Sequence, residues 1–542
     1  MDLSMIDEIQ EAMDTAQVTE EGENKAHEVK KPDMKKNGDE DSGEKLEGVV
    51  TKASSPTVKI SITASHDGGN IELISISEPV VSSGGRTAKC IVTVHVKPDV
   101  YTELEKIAHK QYFSYRAFVS GLHASSSSGG DNGEEEDNSI KLLTVQYVVA
   151  NAHAVSYPDA WPGTTICYTT GSLEPCDDAA WRRNLTTKYQ DGKLTWSQVH
   201  TANGSTFFSY WPPYTYNRHL KLIADCSTQI STRGSACSDY NPTVESLGQT
   251  LEGREIECIS IGNGKLTAWI QHRQHPGETM AEFFAEGFLH RLLGVDADGE
   301  LDEATKKMLD QYRLYIVPCM CPDGAVLGHL RTNSVGANQN REWATVHDHY
   351  EAPTLERSPE VYAVLSKMDE TGCDFFLDVH GDEELPYVFF SGAEKTPVWG
   401  DRIKHLHGYF ISSFQRANSD VQKEIGYPPP DSEEDALKYM NVATNQVSCR
   451  FNCLGLTLEM PYKDCATNPD PEKGFSPDRA KQLGRNLVEA LGDVHPYLRA
   501  EGEFWSDFSG EDEYVVPTDN FKEEGFVMLK KRFYSDVRPQ DA

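Results

Sequence analysis

Apolar residues along this chain fall into two successive patterns. From residue 55 to about 225 they come in short β-branched runs: "TVKISITASHD", "NIELISISEP", "TAKCIVTVHVKPD", "IKLLTVQYVVANAHA", "TTICYTT", "KLTWSQVH" and "STFFSYW". Short alternating runs bounded by turn residues predict strands, and this many in succession predict an N-terminal all-β sandwich domain. From about 240 to 500 the apolar strands "IECISIGNG", "LTAWIQHR", "RLYIVPCM", "DFFLDVHG" and "LGLTLEMP" alternate with helical stretches such as 279 to 293 and 356 to 370. That alternation predicts an α/β domain whose sheet is covered by helices on both faces.

Three segments follow neither pattern. Residues 1–54 are rich in Glu, Asp, Lys and Gly and poor in aromatics, which predicts a disordered acidic tail. "SSSSGGDNGEEED", residues 125–137, interrupts the sandwich and predicts an exposed acidic insertion. Residues 501–542 form an acidic, aromatic C-terminal extension, expected to pack on the body or to form a short hairpin.

Composition narrows the partners. The 542 residues carry a formal net charge of -34. Residues 1–48 hold 15 Asp/Glu against 6 Lys/Arg, so a charge of -25 is left for the remainder. An acidic body argues against nucleic acid, which is held by clustered Lys and Arg. No run approaches the roughly 18 apolar residues of a membrane span, and the N-terminus is acidic where export and transit signals are basic, so a cytoplasmic location away from membranes is expected. The 12 Cys contain no CxxC pair and read as buried thiols in a reducing compartment.

The chemistry gathers at strand ends. In "WIQHRQHPGETMAEFFAEGFLHRLLG", residues 269–294, a strand passes through a Pro-Gly turn into a helix, fixing His275 and Glu278 within one turn. The HxxE spacing alone is weak, since it recurs at His380 and Glu383 in a chain with 18 His. A catalytic zinc site takes three protein ligands and leaves a position open, and open α/β sheets gather ligands beyond the carboxyl ends of their strands. "CDFFLDVHGDEE" supplies His380 there, and "LGLTLEMPYKD" ends on Glu459, an acid closing an apolar strand. Between them, "GHLRTNSVGANQNREW" offers Arg331, Asn340 and Arg341, donors suited to a carboxylate.

With these residues in view, "HPGE", the "PDG" of "CMCPDG", "LRTN…NQNREW", "DVHGDEELP" and "LTLEMP" resemble, in order, the motifs of the M14 zinc metallocarboxypeptidases. Their cytosolic branch carries a β-sandwich first, and "FFSYWPPYTYNRHL" resembles the end of that domain. The resemblance spans about residues 55 to 500 and implies a carboxypeptidase fold with a mixed eight-stranded sheet. It implies one zinc per chain on His275, Glu278 and His380, Glu459 as general base and Arg331 polarising the scissile carbonyl. Asn340 and Arg341 would hold the terminal carboxylate of a peptide or protein tail, and Tyr439 stands nearest to the family's mobile tyrosine.

Two positions depart from the family pattern. Asn338 replaces an Asp that usually braces one zinc-bound His, and an amide oxygen accepts that bond without adding charge. Thr444 or Asn445 stands where the tubulin deglutamylases have an Arg for a side-chain carboxylate, and Arg450 is out of register. Release of C-terminal amino acids is therefore the first expectation, with the side chain released left open. A zinc amidohydrolase of N-acyl amino acids, as in aspartoacylase-like relatives, is the second, although those relatives carry their added β-domain after the catalytic one. A non-catalytic protein that holds C-termini, with the sandwich as a surface for a protein partner, is the third.

Overall fold

The computed structural model describes residues 58–103, 106–123, 139–175, 177–344 and 352–519. The predicted tail 1–54, the insertion 125–137 and residues 520–542 of the extension lie outside the described residues.

The N-terminal runs form strands β1 (Lys59–Thr63), β2 (Glu72–Ile76), β3 (Val80–Val81), β4 (Thr87–His95), β5 (Ser114–Ser120), β6 (Leu142–Val149), β7 (Ile166–Thr170), β8 (Arg182–Asn184), β9 (Lys188–Gln190), β10 (Lys193–His200) and β11 (Gly204–Ser209). They make two sheets, ordered β1-β5-β11-β7-β8 and β2-β4-β6-β10-β9, with β3 paired to β4. Alternation holds where one face is covered: in β6, Leu143, Val145, Tyr147 and Val149 are buried while Gln146 faces water. Between the sheets lie Phe113, Tyr115, Tyr147, Trp196 and Phe208, with Tyr147 and Phe208 centroids 4.5 Å apart.

Helix α1 (Tyr216–Ser231) leads into the second half, whose strands are β12 (Thr243–Gln249), β13 (Glu255–Ile261), β14 (Leu266–His272), β15 (Tyr312–Val317), β16 (Phe375–Asp382), β17 (Phe389–Ser391) and β18 (Leu454–Pro461). Their order is β12-β13-β15-β14-β16-β18-β17, and the central four are parallel. Every residue of β16 and β18 is buried, as expected of parallel strands covered on both faces. On one face, α2 (Met280–Leu293) packs against a long helix, Pro477–Val494, so closely that a Cβ on Gly287 would lie 2.0 Å from Lys481 O. On the other, helices Pro359–Thr371 and Ala443–Phe451 close over Trp269 and Phe376 with Val361, Val364, Leu365 and Val447.

The sheet has seven strands among the described residues, not the eight implied by resemblance. At its β17 edge the further pairing shrinks to one bridge, Val388 with Val421. Gln422 belongs to that bridge: its backbone N donates to Val388 O at 3.3 Å, and its side-chain Nε2 meets the same oxygen at 3.3 Å.

Sandwich and sheet belong to one compact unit with a continuous apolar core. Arg183 of β8 crosses between them, donating to Tyr462 O at 3.0 Å, Phe475 O at 2.9 Å and Lys473 O at 3.2 Å beyond β18, and to Thr165 O at 3.0 Å in the sandwich. Beside it Tyr210 stacks on Tyr462 with centroids 4.6 Å apart. Replacing Arg183 by Ala strands buried carbonyls and should lower unfolding stability by about 2–4 kcal/mol. Urea unfolding followed by tryptophan fluorescence checks this; an unchanged midpoint would show that the guanidinium carries no such load.

Candidate metal centre

The parallel strands β14, β16 and β18 end at the same edge of the sheet, and the chemistry collects there. After His272 the chain leaves β14 through Arg273, whose φ of 57° is a left-handed conformation costly for a side chain with a Cβ. The surroundings hold it: Arg273 donates to Pro276 O at 2.9 Å, Tyr214 O at 2.8 Å and Glu282 Oε2 at 2.6 Å. The Pro-Gly turn then folds under the 330s loop, with Gly277 N donating to Leu330 O at 3.0 Å, and a Cβ on Gly277 would lie 2.8 Å from that oxygen. Glu278 thus reaches the end of β16 just as α2 begins.

His275, Glu278 and His380 converge, each buried, with ligand atoms within 4.8 Å of one another. Glu278 bridges the rings: Oε1 is 2.7 Å from His275 Nδ1 and Oε2 is 2.8 Å from His380 Nδ1, and Gly381 N donates to Oε2 at 3.1 Å. Both imidazoles are held from behind through Nε2, by Asp378 at 2.9 Å for His380 and by Asn338 Oδ1 at 3.2 Å for His275. Outer acceptors on Nε2 place its proton there and leave each Nδ1 lone pair facing Glu278. Two inward imidazoles and one carboxylate make a three-ligand set, the donor chemistry of a catalytic zinc, which keeps a further position for water.

Electrostatics agree with a site built for a cation. Burial, then Arg331, pushes His275 down to about 4. Burial acts against the charged form of Glu278 as well, yet His275 and His380 hold its carboxyl well below the usual range. His380 is lowered by burial but raised overall by Asp378 and Glu278, acidic neighbours that would favour a cation there. Glu459, paired in register with His380, is pushed well above the usual carboxylate range by burial and by Glu278, Asp382 and Glu383, against His380. Its Oε2 is buried with no hydrogen-bond partner among the described residues, on the strand position beside His380.

The other predicted residues divide. Arg331 is within reach, its Nη1 3.3 Å from the Tyr157 hydroxyl of the sandwich. Asn340 is buried, with its Oδ1 accepting from Ala443 N at 2.9 Å, and Arg341 Nη1 donates to Asn340 O at 2.8 Å. The charges of Arg331 and Arg341 both act on Tyr157. Tyr439 lies on an exposed turn before the helix Ala443–Phe451, where its carbonyl accepts from Asn445 Nδ2 at 3.0 Å. No hydrogen bond of its hydroxyl occurs among the described residues, whereas the Tyr427 hydroxyl donates to Asp382 and lies in the field of Glu459 and Glu383. Thr444 Oγ1 is 2.7 Å from Thr457 Oγ1, on the strand face that carries Glu459 two residues later, and Arg450 forms a bidentate pair with Asp369 at 2.6 Å.

Sequence reasoning missed Asp378, which also accepts from Gln271 and Gln274, the latter fixed in turn by Trp343 Nε1 at 2.8 Å. A signal was present, because an acid two residues before a His on a strand lies on the same face. Arg273 with its buried partner network gave no such signal.

Comparison with known proteins follows the same lines. Residues 237–487 match the family described as zinc carboxypeptidase, peptidase M14, and residues 138–211 match the cytosolic carboxypeptidase N-terminal domain. A protein of Zymomonas mobilis is 35% identical over 445 residues, covering 82% of this chain and 99% of its own. A metallo-carboxypeptidase from Burkholderia cenocepacia is 32% identical with a TM-score of 0.64, covering 81% of this chain and 99% of that one. A metallo-carboxypeptidase from Pseudomonas aeruginosa, solved in complex with (2-guanidinoethylmercapto)succinic acid, is 30% identical with a TM-score of 0.63, covering 81% and 100%.

Two expectations follow from this geometry. A metal that binds only the folded site adds stability by mass action, about 4 kcal/mol at a thousandfold excess over Kd. Zinc should therefore raise the thermal midpoint of chelator-treated protein, and the rise should vanish in Glu278→Gln. Beneath the turn, burial alone would lower the pKa of His219, but Glu282 and Glu257 raise it to about 9. A raised folded-state pKa contributes stability that is complete below pH 6.5 and is lost as pH rises through 9. Chemical unfolding across pH 6 to 10 should show this loss, on the order of 2 kcal/mol, and His219→Gln should remove it.

Proposed function

We propose, from the premise that this chain belongs to the M14 family of zinc carboxypeptidases, that it hydrolyses the C-terminal peptide bond of peptides or protein tails with one zinc held by His275, Glu278 and His380. The enzyme is a metallocarboxypeptidase and the cofactor of its family is zinc. The observation that carries the residue assignment is the convergence of this triad with the orphaned Glu459 Oε2 at one end of the parallel strands.

When bound, zinc supplies a Lewis acid and lowers the pKa of a coordinated water towards roughly 7. The chain does the rest. Asn340 and Arg341 take the substrate's terminal carboxylate, and this fixes the last peptide bond at the triad and limits release to one residue. The succinic acid part of the ligand in the Pseudomonas protein is a dicarboxylate, the kind of group such donors would hold. Arg331 turns its guanidinium to the scissile carbonyl, where negative charge develops. Glu459 takes the proton of the attacking water on Oε2 and returns it to the leaving amine. Burial and neighbouring carboxylates push Glu459 well above the usual carboxylate range, and a divalent cation at the triad would act in the opposite direction.

The side-chain pocket supports neutral residues over Glu. Thr444 or Asn445 stands where the deglutamylases carry an Arg; Thr444 is buried against Thr457, Asn445 donates to Tyr439 O, and Arg450 pairs with Asp369. We place the enzyme in the cytosol on its N-terminal domain type and its unpaired, mostly buried thiols. Among the described residues no helix is long and apolar enough to cross a membrane.

Zinc-loaded protein should release single amino acids from peptides that differ only in the last residue, faster for neutral ends than for Glu. Glu459→Gln should keep zinc and lose release by at least about a thousandfold, the scale of a lost general base. Zinc binding without trimming of any peptide would set this reading aside in favour of N-acyl amino acids or simple binding of C-termini.

A further inference from the structure

We propose that Asp99 and Tyr157, both from the N-terminal sandwich, form a positioning pair that sets the main chain and the guanidinium of Arg331, so that the sandwich builds part of the reaction site. This rests on the reading of Arg331 given above.

Asp99 lies just after β4 and is 3% exposed. Its carboxylate accepts Leu330 N at 2.7 Å through one oxygen, and Arg331 N at 2.8 Å, Thr332 N at 3.0 Å and Thr332 Oγ1 at 3.2 Å through the other. Three successive backbone N–H groups converging on one anion make a pre-formed concave donor site, filled here by a residue from more than two hundred positions upstream. The sandwich grips the preceding segment too, with Gly68 N donating to Val326 O at 2.9 Å and Asn70 Nδ2 to Gly328 O at 2.9 Å. The loop that presents Arg331 therefore takes its conformation from the sandwich.

Tyr157 acts on the other end of the same residue. Its backbone is clamped on both sides by buried Gln111, whose Oε1 accepts Tyr157 N at 2.8 Å and whose Nε2 donates to Tyr157 O at 3.0 Å. The hydroxyl accepts from Arg331 Nη1 at 3.3 Å. Burial pushes the phenol up to about 12, so it keeps its proton and stays a neutral acceptor for Arg331. Cement between sandwich and sheet has a different form here: Arg183 grips only backbone carbonyls, whereas Tyr157 meets the charged tip of a site residue.

The test uses the full zinc-loaded chain. Asp99→Asn should speed amide exchange at residues 330–332 and lower kcat at least about tenfold, with zinc content held. Tyr157→Phe removes one hydroxyl and should lower kcat about tenfold while KM, zinc content and unfolding midpoint stay put. In an Arg331→Ala background it should cost nothing further, because its effect passes through that guanidinium. The proposal is overturned if Arg331→Ala abolishes release while Asp99→Asn and Tyr157→Phe keep native kcat, or if Tyr157→Phe costs the same factor with and without Arg331. Full release by Arg331→Ala would remove the assigned role of Arg331 itself and the pair with it, whereas a protein that trims nothing would contradict the peptidase reading. Exchange at 330–332 decides the Asp99 clamp in every case.

Discussion

A buried carboxylate held between two imidazoles is the constraint on which the rest of this structure turns. Glu278, His275 and His380 are all withdrawn from water, and burying such groups is costly unless their polar atoms find partners. The fold supplies those partners in layers. Asp378 and Asn338 fix the outer nitrogens, Gln271 and Gln274 fix Asp378, and Trp343 fixes Gln274. The inner nitrogens and carboxylate oxygens are thereby left pointing at one another. A cation of suitable size would relieve that arrangement.

The same requirement explains why the sandwich and the α/β sheet share a core. The loop carrying Arg331 has no regular structure over residues 328–338, and although Asn333 closes donors within it, the backbone donors of residues 330–332 turn to a carboxylate outside the loop. Asp99 satisfies three of them from the sandwich, and Arg183 satisfies carbonyls beyond β18 in the opposite sense. In both cases the sandwich closes polar groups that the α/β half leaves open, so the site depends on both.

The sequence made the strand ends legible. His275, His380 and Glu459 each close an apolar run, and the runs "LTAWIQHR", "DFFLDVHG" and "LGLTLEMP" are β14, β16 and β18. Residues whose role depends on a distant partner were not legible. Asp99 and Tyr157 sit in ordinary strand-and-turn stretches far from Arg331, and nothing in local periodicity marks them. Arg273 takes a left-handed conformation that its residue type does not advertise. Tyr439 was picked by spacing, while the hydroxyl that meets Asp382 is that of Tyr427, on a loop with no period to read. The count of eight strands came from resemblance, and among the described residues the sheet has seven, with one further bridge at Val388 and Val421.

The most direct measurement is anomalous diffraction at the zinc edge from crystals of the metal-loaded protein. The account predicts one zinc peak bounded by His275 Nδ1, His380 Nδ1 and the Glu278 carboxylate, with Glu459 Oε2 facing its open side and Asn338 and Asp378 still bonded to Nε2. A peak elsewhere, ligation through either Nε2, or full loading with no peak at the triad would contradict it.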